Sequence, residues 1–162
     1  MQTPKQTSAN WLQAAITSAK LAAILAVTLV ASGCATPTGA AFTTAEAVPT
    51  GQAQVYLYRK WALQASGLDA SVKLNAQEMG ALGNGTYLRV TVAPGKHVLS
   101  VKPGAFSSSY DAVFELTNGQ TQYVEFVVPP FILTTALMLG SDISPRTPER
   151  AVVDMQGLKG MK

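Results

Sequence analysis

Two residue types that can carry out covalent or acid–base chemistry occur once each in this sequence of 162 residues: Cys34 and His97. Cys34 directly follows three small residues, Ala31, Ser32 and Gly33. A thiolate is a good nucleophile, and small side chains before it leave the backbone open to an enzyme. Only a thiol can form a thioether, so these residues favour covalent modification of Cys34 and cleavage of the backbone beside it.

The stretch that leads to Cys34 predicts where this chemistry takes place. It begins with Lys20 and continues through about ten apolar residues, in the range of a secretory signal and well short of the roughly 20 that span a bilayer. Its last four residues resemble the bacterial lipobox, although Ala31 stands where Leu is commoner. The resemblance implies that Cys34 receives a diacylglycerol on its sulfur and that the chain is cut between Gly33 and Cys34. We predict a lipoprotein signal peptide over residues 1–33, which its peptidase recognises through the three small residues before the cysteine.

The residue after Cys34 bears on the membrane that would hold the chain. In double-membrane bacteria an Asp at this position retains a lipoprotein at the inner membrane, and here the position is Ala35. We therefore expect a lipid anchor in the outer membrane, with the protein in the cell envelope on the periplasmic face. Two other interpretations of the apolar stretch stay open: a buried cysteine after a short helix, and a membrane anchor that is not cleaved.

The charge balance limits the partners that the mature chain can have. Lys5 and Lys20 are two of the 12 basic residues, and both lie in the predicted signal peptide. All nine acidic residues follow it, so the formal net charge of +3 falls to +1 in the mature chain. Such a chain lacks the basic footprint of a nucleic-acid-binding protein and the polybasic run that binds anionic lipid. We expect membrane attachment through the acyl chains and no nucleic-acid partner, and we leave an envelope protein partner and the oligomeric state open.

Sequence periodicity predicts a mainly β domain over residues 53–130, after a flexible linker at 34–52. The linker is rich in small, hydroxylated residues and Pro, which bury too little apolar surface to order the chain. From residue 53, apolar and polar residues alternate in short runs that are separated by turn signals such as Asn84-Gly85. The predicted strands are 54–59, 69–74, 78–82, 87–92, 97–102, 111–116 and 122–128. Seven short strands of this kind favour an antiparallel two-sheet sandwich.

The remaining residues, 131–162, are expected to comprise an apolar segment, one short helix and a loose tail. The first nine of them are mostly apolar but too few to cross a membrane. We expect them to form a buried edge strand or short helix that covers the sandwich, with contact to a membrane or partner as the alternative. Thr147, Pro148 and Glu149 together are typical of a helix start, and Gly157 predicts where the helix ends.

Three short pieces of the predicted domain stand out together: GQAQVYLYR at 51–59, LGNGTY at 82–87 and VAPGKH at 92–97. In this order they resemble a family of small bacterial lipoproteins catalogued as a domain of unknown function. The Pro-Gly-Lys-His turn is also similar to β modules with a Pro-Glu-Gly-Ala signature, and both groups resemble transthyretin and carboxypeptidase regulatory domains. The resemblance implies a β-sandwich and no catalytic residue. It departs at Asn75-Ala76, where the family usually has Asp-Gly, and this leaves the turn type open.

An enzyme would need a positioned base, nucleophile or metal set, and the sequence offers weak candidates. His97 could be grouped with Asp111 and one of the serines from Ser107 to Ser109 as a hydrolase site, but composition alone supports this grouping. One histidine also falls short of the roughly three or four ligands of a protein zinc site. We expect His97 to begin a strand with its ring bonded to a loop carbonyl, and we expect no cofactor, no metal and no catalytic activity. A hydrolase is the least favoured alternative.

Aromatic residues and arginines mark the candidate binding surface. Tyr56 and Tyr58 share one face of a predicted strand, opposite Val55 and Leu57. The candidate surface comprises Tyr56, Tyr58, Arg59, Trp61, Tyr87 and Arg89. Such residues are enriched at protein interfaces, although the C-terminal segment could instead cover this face. We therefore expect a lipid-anchored binding, accessory or scaffold domain; the alternative is a subunit of a larger surface or secretion assembly that docks through residues 129–140.

Overall fold

The computed structural model describes Pro37 and residues 39–63, 66–104, 107–128 and 141–161. Within these residues the chain forms nine strands and one helix. Their bounds are β1 (Ala53–Arg59), β2 (Ala70–Leu74), β3 (Gln77–Leu82), β4 (Thr86–Val92), β5 (Gly95–Pro103), β6 (Tyr110–Leu116), β7 (Thr121–Val127), β8 (Asp142–Arg146), α1 (Pro148–Met155) and β9 (Lys159–Gly160). The predictions for the signal peptide, for Cys34 and for the segment at 129–140 lie outside the described residues.

The strands form two sheets that differ in strand direction. Sheet A has the order β8-β7-β1-β4-β9, and sheet B has the order β3-β2-β5-β6. Sheet B is antiparallel throughout, whereas in sheet A β1 is parallel to β7 and β4 is parallel to β9. The predicted mainly β, two-sheet sandwich with one short C-terminal helix is confirmed, and its seven expected strands are β1–β7.

Sheet A departs from the expected antiparallel pattern because β7 does not follow its sheet neighbour along the chain. Parallel neighbours need a long connection rather than a tight hairpin. Here β7 follows β6 of sheet B, and the chain crosses between the sheets at residues 117–120. It then enters sheet A beside β1, where Tyr123 aligns with Tyr56. β8 and β9 add the two outer strands of this sheet, which the sequence pattern did not predict.

The main core lies between the two sheets. In β2, for example, Ala70, Val72 and Leu74 are buried and the residues between them are exposed. This alternation places the apolar residues of each strand on the face that meets the other sheet. The buried residues of this core are Leu57, Ala70, Val72, Leu74, Leu82, Leu88, Leu99, Val101, Val124, Phe126 and Ile143.

A second core covers the outer face of sheet A, the face turned away from sheet B. Its buried residues are Phe42, Tyr56, Tyr58, Tyr123, Ala151, Met155 and Leu158. They come from β1, β7, α1 and the chain segments on either side of the sandwich. Because sheet A is packed on both faces, all seven residues of β1 are buried.

Helix α1 begins and ends at the residues that the sequence predicted. Thr147 is the N-cap, and its hydroxyl accepts a 3.5 Å hydrogen bond from the Arg150 N–H. Pro148 follows at the first helical position and Glu149 lies in the first turn. Gly157, with a φ of +77°, ends the helix in a conformation that suits glycine. No helix in the described part of the chain has both the length and the hydropathy of a membrane span.

Part of the predicted linker is packed against the sandwich, contrary to the expectation of a flexible tether over 34–52. We name residues 39–46 the N-terminal segment. Phe42 is buried, and its N–H donates a 2.7 Å hydrogen bond to the Leu158 carbonyl. Gly39 donates to Gly160 and Gly160 donates to Ala40, each over 3.0 Å. The expected loose tail is likewise ordered at this point, because Lys159–Gly160 form β9 beside the start of β4.

Gly39 is required by the close approach of two backbones. A Cβ atom at this position would lie 2.4 Å from the carbonyl oxygen of Gly160, which is closer than van der Waals contact permits. The sequence does not show that position 39 needs a glycine, since small residues occur throughout the linker. The aromatic ring of Phe42 then holds the N-terminal segment by burial against the outer face of sheet A.

The structure shows the type of the β2–β3 turn, which the sequence left open at Asn75-Ala76. Both residues have positive φ, +50° for Asn75 and +66° for Ala76, as the two central residues of a type I′ hairpin require. Asn tolerates this conformation, whereas Ala is strained in it. The turn expected from Asp-Gly sequences is therefore kept with a less suitable residue at its second position.

Candidate functional site

Only two of the six residues in the candidate binding surface are exposed to solvent. Tyr56, Tyr58 and Arg59 are buried, with at most 1% of their area exposed. Tyr87 is half-buried, and Arg89 and Trp61 are exposed. The prediction of an open aromatic patch is therefore wrong for the first three residues. Tyr56 and Tyr58 lie on the outer face of sheet A, which α1 and the N-terminal segment cover, whereas Arg59 lies on the opposite face of β1 and donates to the Leu68 carbonyl.

The tyrosines of this face pack on one another beneath that cover. The rings of Tyr56 and Tyr123 stack with centroids 5.4 Å apart, and Phe42 meets Tyr56 and Tyr87 edge-on at 5.9 and 5.6 Å. Aromatic pairs favour these arrangements. Burial raises the pKa of Tyr87 and the pKa of Tyr123 above the usual value of a tyrosine. These rings therefore act as core residues and bind the covering segments.

A cluster of buried carboxylates and partly exposed cations lies where β1 ends. Glu125 of β7, only 4% exposed, pairs with Lys60 over 2.9 Å and with Arg146 over 2.7 Å. Asp154 of α1 pairs with Arg150 over 3.0 Å and lies 3.7 Å from Lys60. Lys60 therefore stands between two carboxylates, one from the sheet and one from the helix.

The hydroxyl of Tyr58 lies beneath this cluster. It donates a 3.3 Å hydrogen bond to Oδ2 of Asp154. Burial raises the pKa of Tyr58 well above its usual value of 10, and the negative charges of Glu125 and Asp154 raise it further. The hydrogen bond from Arg146 to Glu125 raises the pKa of Arg146. The tyrosine thus stays protonated and joins β1 to α1.

Arg59 ends β1 with its charge inside the protein. Its Nη1 donates to the carbonyl oxygen of Leu68, which fixes the loop that leads to β2. Burial lowers the pKa of Arg59, and the charge of Asp69 acts in the opposite direction. An arginine keeps its charge at neutral pH even so. A buried cation therefore lies directly behind Lys60 and Trp61.

These groups line an open cleft of about 330 Å³ at the end of β1. Its charged residues are Arg59, Lys60, Arg146 and Glu125, and its remaining lining comes from Trp61, Ala62, Phe126, Val127 and Val128. Three cations and one carboxylate line the cleft, so its lining carries an excess of positive charge, which Asp154, 3.7 Å from Lys60, reduces. Lys60 is 45% exposed and Arg146 is 35% exposed, and both can reach a bound group. Cations beside an indole ring are suited to an anionic group with some apolar surface.

Sequence reasoning found Arg59 and Trp61 but missed Lys60, Glu125, Arg146 and Asp154. Glu125 did carry a signal, since it interrupts the apolar run Tyr-Val-Glu-Phe-Val of a central strand, where a charge needs partners. The sequence gives no such signal for the other charged residues of the cluster, Lys60, Arg146 and Asp154. They lie on β8 and α1 and in the residue after β1, which only the tertiary structure brings together.

His97 lies away from this cleft, on β5 of sheet B. Its ring is buried, with Nδ1 at 2.9 Å from Nδ2 of Asn75 and Nε2 at 2.8 Å from the carbonyl oxygen of Ala93. Both ring nitrogens therefore have partners if Nε2 carries the proton. The expected bond to a loop carbonyl is present, and the ring also holds the β2–β3 turn in place. Asp111, the acid of the hydrolase alternative, is exposed on β6.

Metal ligands do not converge in the part of the chain that is described. No three His, Cys, Asp or Glu side chains there form a group that could hold a metal ion. Glu125 and Asp154 are the nearest approach to a carboxylate pair, and both are already bonded to cations.

Comparison with known protein families identifies the family of this domain. Residues 49–130, just over half of the chain, match a family described as a protein of unknown function, DUF2846. The chain belongs to the DUF2846 family. The matched range contains strands β1–β7, so the DUF2846 region supplies all of sheet B, the three central strands of sheet A and Glu125. The N-terminal segment, β8, α1 and β9 lie outside it, and so do Arg146 and Asp154. No curated protein matches the chain.

Proposed function

We propose that this DUF2846 protein is a lipoprotein of the bacterial envelope whose sandwich acts as a binding or accessory domain and not as an enzyme. Acyl chains on Cys34 would hold it in the outer membrane on the periplasmic face. The charged start, the short apolar run and the small residues Ala31, Ser32 and Gly33 support this anchor. The family resemblance of the domain implies no catalytic residue, which agrees with a binding or accessory role.

The observation that carries the binding function is the cleft at the end of β1. Trp61 is 65% exposed beside it, while Lys60 and Arg146 present cations from either side of the buried Glu125. Aromatic residues and Arg supply much of the energy of binding sites. We infer that the cleft binds an anionic group, a carboxylate or a phosphate, that belongs to another component of the envelope.

Crosslinking in living cells tests this function. A photo-reactive amino acid replaces Trp61 in the full chain, and a matched variant carries it at Val113, which is 59% exposed on the outer face of sheet B. We expect crosslinked products, identified by mass, from position 61 and not from position 113. Equal or absent products at both positions would contradict a binding site at this cleft.

The anchor is tested separately by the mass of the purified protein. We expect the wild-type chain to begin at Cys34 and to carry the mass of the attached acyl chains. Cys34→Ser should retain residues 1–33 and lack this added mass. A wild-type chain that begins at Met1, with no added mass, would overturn the lipoprotein assignment and leave the binding function to be judged by the crosslinking alone.

A further inference from the structure

The loop after β1 exposes two large apolar side chains within three residues. Trp61 is 65% exposed and Leu63 is 69% exposed. Single exposed apolar residues are common on soluble proteins. Two of them together on one loop, next to a cleft with excess cations, form a small surface that is apolar at its tip and basic behind it. This pattern is typical of segments that contact a membrane interface.

The loop is fixed in this exposed position by its neighbours. The Ala62 N–H donates a 2.9 Å hydrogen bond to Oδ1 of Asn84, and Nδ2 of Asn84 donates a 3.0 Å bond back to the Ala62 carbonyl. Gly85 lies against the indole, since a Cβ there would lie 3.3 Å from atoms of Trp61. The β3–β4 turn therefore fixes the backbone between the two exposed apolar residues and packs against the indole of Trp61.

The loop lies beside the place where the chain leads back to Cys34. The Lys159 N–H donates a 3.2 Å hydrogen bond to the carbonyl of Gly85, the residue against Trp61. Gly160, the next residue, is bonded to Gly39. Only four residues lie between Cys34 and Gly39, which limits the distance between their Cα atoms to about 18 Å even when the chain is fully extended. An anchor at Cys34 therefore keeps this edge of the sandwich close to the lipid surface.

We propose that Trp61 and Leu63 insert into the headgroup region of the leaflet that holds the acyl chains of Cys34. Lys60 and the exposed Lys159 then face the lipid phosphates, and the anionic group of the cleft is a phospholipid headgroup. This inference rests on the proposed lipidation of Cys34. It gives the sandwich a defined orientation, with the edge formed by β9 and the β3–β4 turn toward the membrane.

The short connection favours a bilayer over a separate protein as the occupant. A tether of a few residues gives the loop a high effective concentration at the lipid surface, so even a weak contact is populated. Indole rings prefer the membrane interface because one part of the ring is apolar and its N–H is polar. The cationic groups add attraction to anionic lipid.

Intrinsic fluorescence tests the proposal cleanly. The chain has two tryptophans, and Trp11 lies in the predicted signal peptide, so Trp61 is the only one in the mature protein. The mature lipidated protein is placed in vesicles of phosphatidylethanolamine and phosphatidylglycerol, with and without bromine on the acyl chains. We expect a blue shift of the Trp61 emission and loss of most of it with the brominated lipid.

A matched variant, Trp61→Phe with Val113→Trp, moves the reporter to the outer face of sheet B. Its emission should remain that of an exposed indole and should not be quenched. If Trp61 is unquenched in protein that carries acyl chains and floats with the vesicles, the membrane contact is refuted while the anchor stands. If the protein lacks acyl chains and does not float, the proposed anchor fails instead. Crosslinks from position 61 to one identified protein, together with unquenched emission, would assign the loop to a protein partner.

Discussion

The two sheets of the sandwich differ most in what lies on their outer faces. The outer face of sheet B is open, and along β2 the exposed residues are Ser71 and Lys73. Sheet A carries Tyr56 and Tyr58 on the equivalent face and is covered by α1 and the N-terminal segment. A sandwich needs only the core between its sheets to fold. The second core of sheet A therefore has another consequence: it joins both ends of the described chain to one edge of the domain.

This comparison has a bearing on function. Every group that we assign to binding lies on sheet A or in the loop that follows β1, and the cleft opens where β1 and β7 end. The family match includes sheet B and the three central strands of sheet A but not the cover. The cleft is lined by β1, β7, β8 and the loop after β1, whereas the cover holds the chain that leads to Cys34 against the domain and, with Cys34 lipidated, gives it a defined orientation.

The largest expected effect separates the two outer faces directly. Tyr56→Ala removes a buried ring that contacts Phe42 and Tyr123, and we expect the free energy of unfolding to fall by about 3–5 kcal/mol. Val113→Ala, on the open face of sheet B, should change it by no more than about 0.5 kcal/mol. Urea unfolding measures both. Similar losses in the two variants would mean that the outer face of sheet A is not a core.

Removal of the ring that holds the N-terminal segment tests the cover itself. Phe42→Ala should lower the free energy of unfolding by about 2 kcal/mol, less than a central core residue, because the segment can detach locally. Hydrogen exchange of the Phe42 and Gly160 amides should become faster, while β2 keeps its protection. If residues 39–46 of the unsubstituted protein already exchange like an unfolded peptide, the segment is not part of the fold.

An ion pair can be removed from each sheet for comparison. Glu125→Gln leaves Lys60 and Arg146 without their shared carboxylate, and we expect a loss of about 1–2 kcal/mol in the free energy of unfolding. Glu78→Gln removes the exposed 3.0 Å pair with Lys73 on sheet B and should cost less than about 0.5 kcal/mol. Denaturation at low and high salt measures both, and equal losses would show that burial adds nothing to the Glu125 cluster.

Alkaline pH distinguishes the covered face by its tyrosines. The folded-state pKa of Tyr58 lies above the unfolded value of 10, so the unfolded state loses this proton first and stability falls as pH rises above 10. Tyr58→Phe should cost about 1 kcal/mol at pH 7 through the lost hydrogen bond to Asp154. This difference from wild type should shrink above pH 10. A constant difference from pH 7 to 11 would contradict the raised pKa, and Tyr110→Phe on sheet B serves as the control.

The smallest expected effect is a gain in stability from a substitution in the β2–β3 turn of sheet B. Ala76→Gly relieves the positive φ of +66° in the β2–β3 turn, and we expect about 0.5–1 kcal/mol of added stability. Asn75→Gly should not give the same gain, because the Asn75 side chain bonds His97 and accepts from the Val98 N–H over 3.1 Å. Thermal unfolding measures both. A loss of stability in Ala76→Gly would mean that the turn has a different backbone conformation in solution.

Local sequence signals predicted the elements of this fold accurately. Period-two alternation and turn residues identified β1–β7, and the series Thr147, Pro148 and Gly157 identified α1 from its cap to its end. These signals work because alternation and capping depend on residues a few positions apart. The linker prediction was wrong because the order of the N-terminal segment depends on contacts with distant residues and not on neighbouring ones. Phe42 lies among small residues that give no local sign of order, and its partners Tyr56 and Leu158 are far along the chain.

The sequence by itself determined the class of the fold, its turns and the expectation of a lipidated Cys34. Only the tertiary structure decided which face of β1 is covered, that β7 runs parallel to β1, and that Glu125 and Asp154 share Lys60. The Tyr58–Asp154 bond alone joins residues that are 96 positions apart. Burial and ion pairing are properties of groups that meet in space, and residue types along one strand carry no information about the segment that will lie across them.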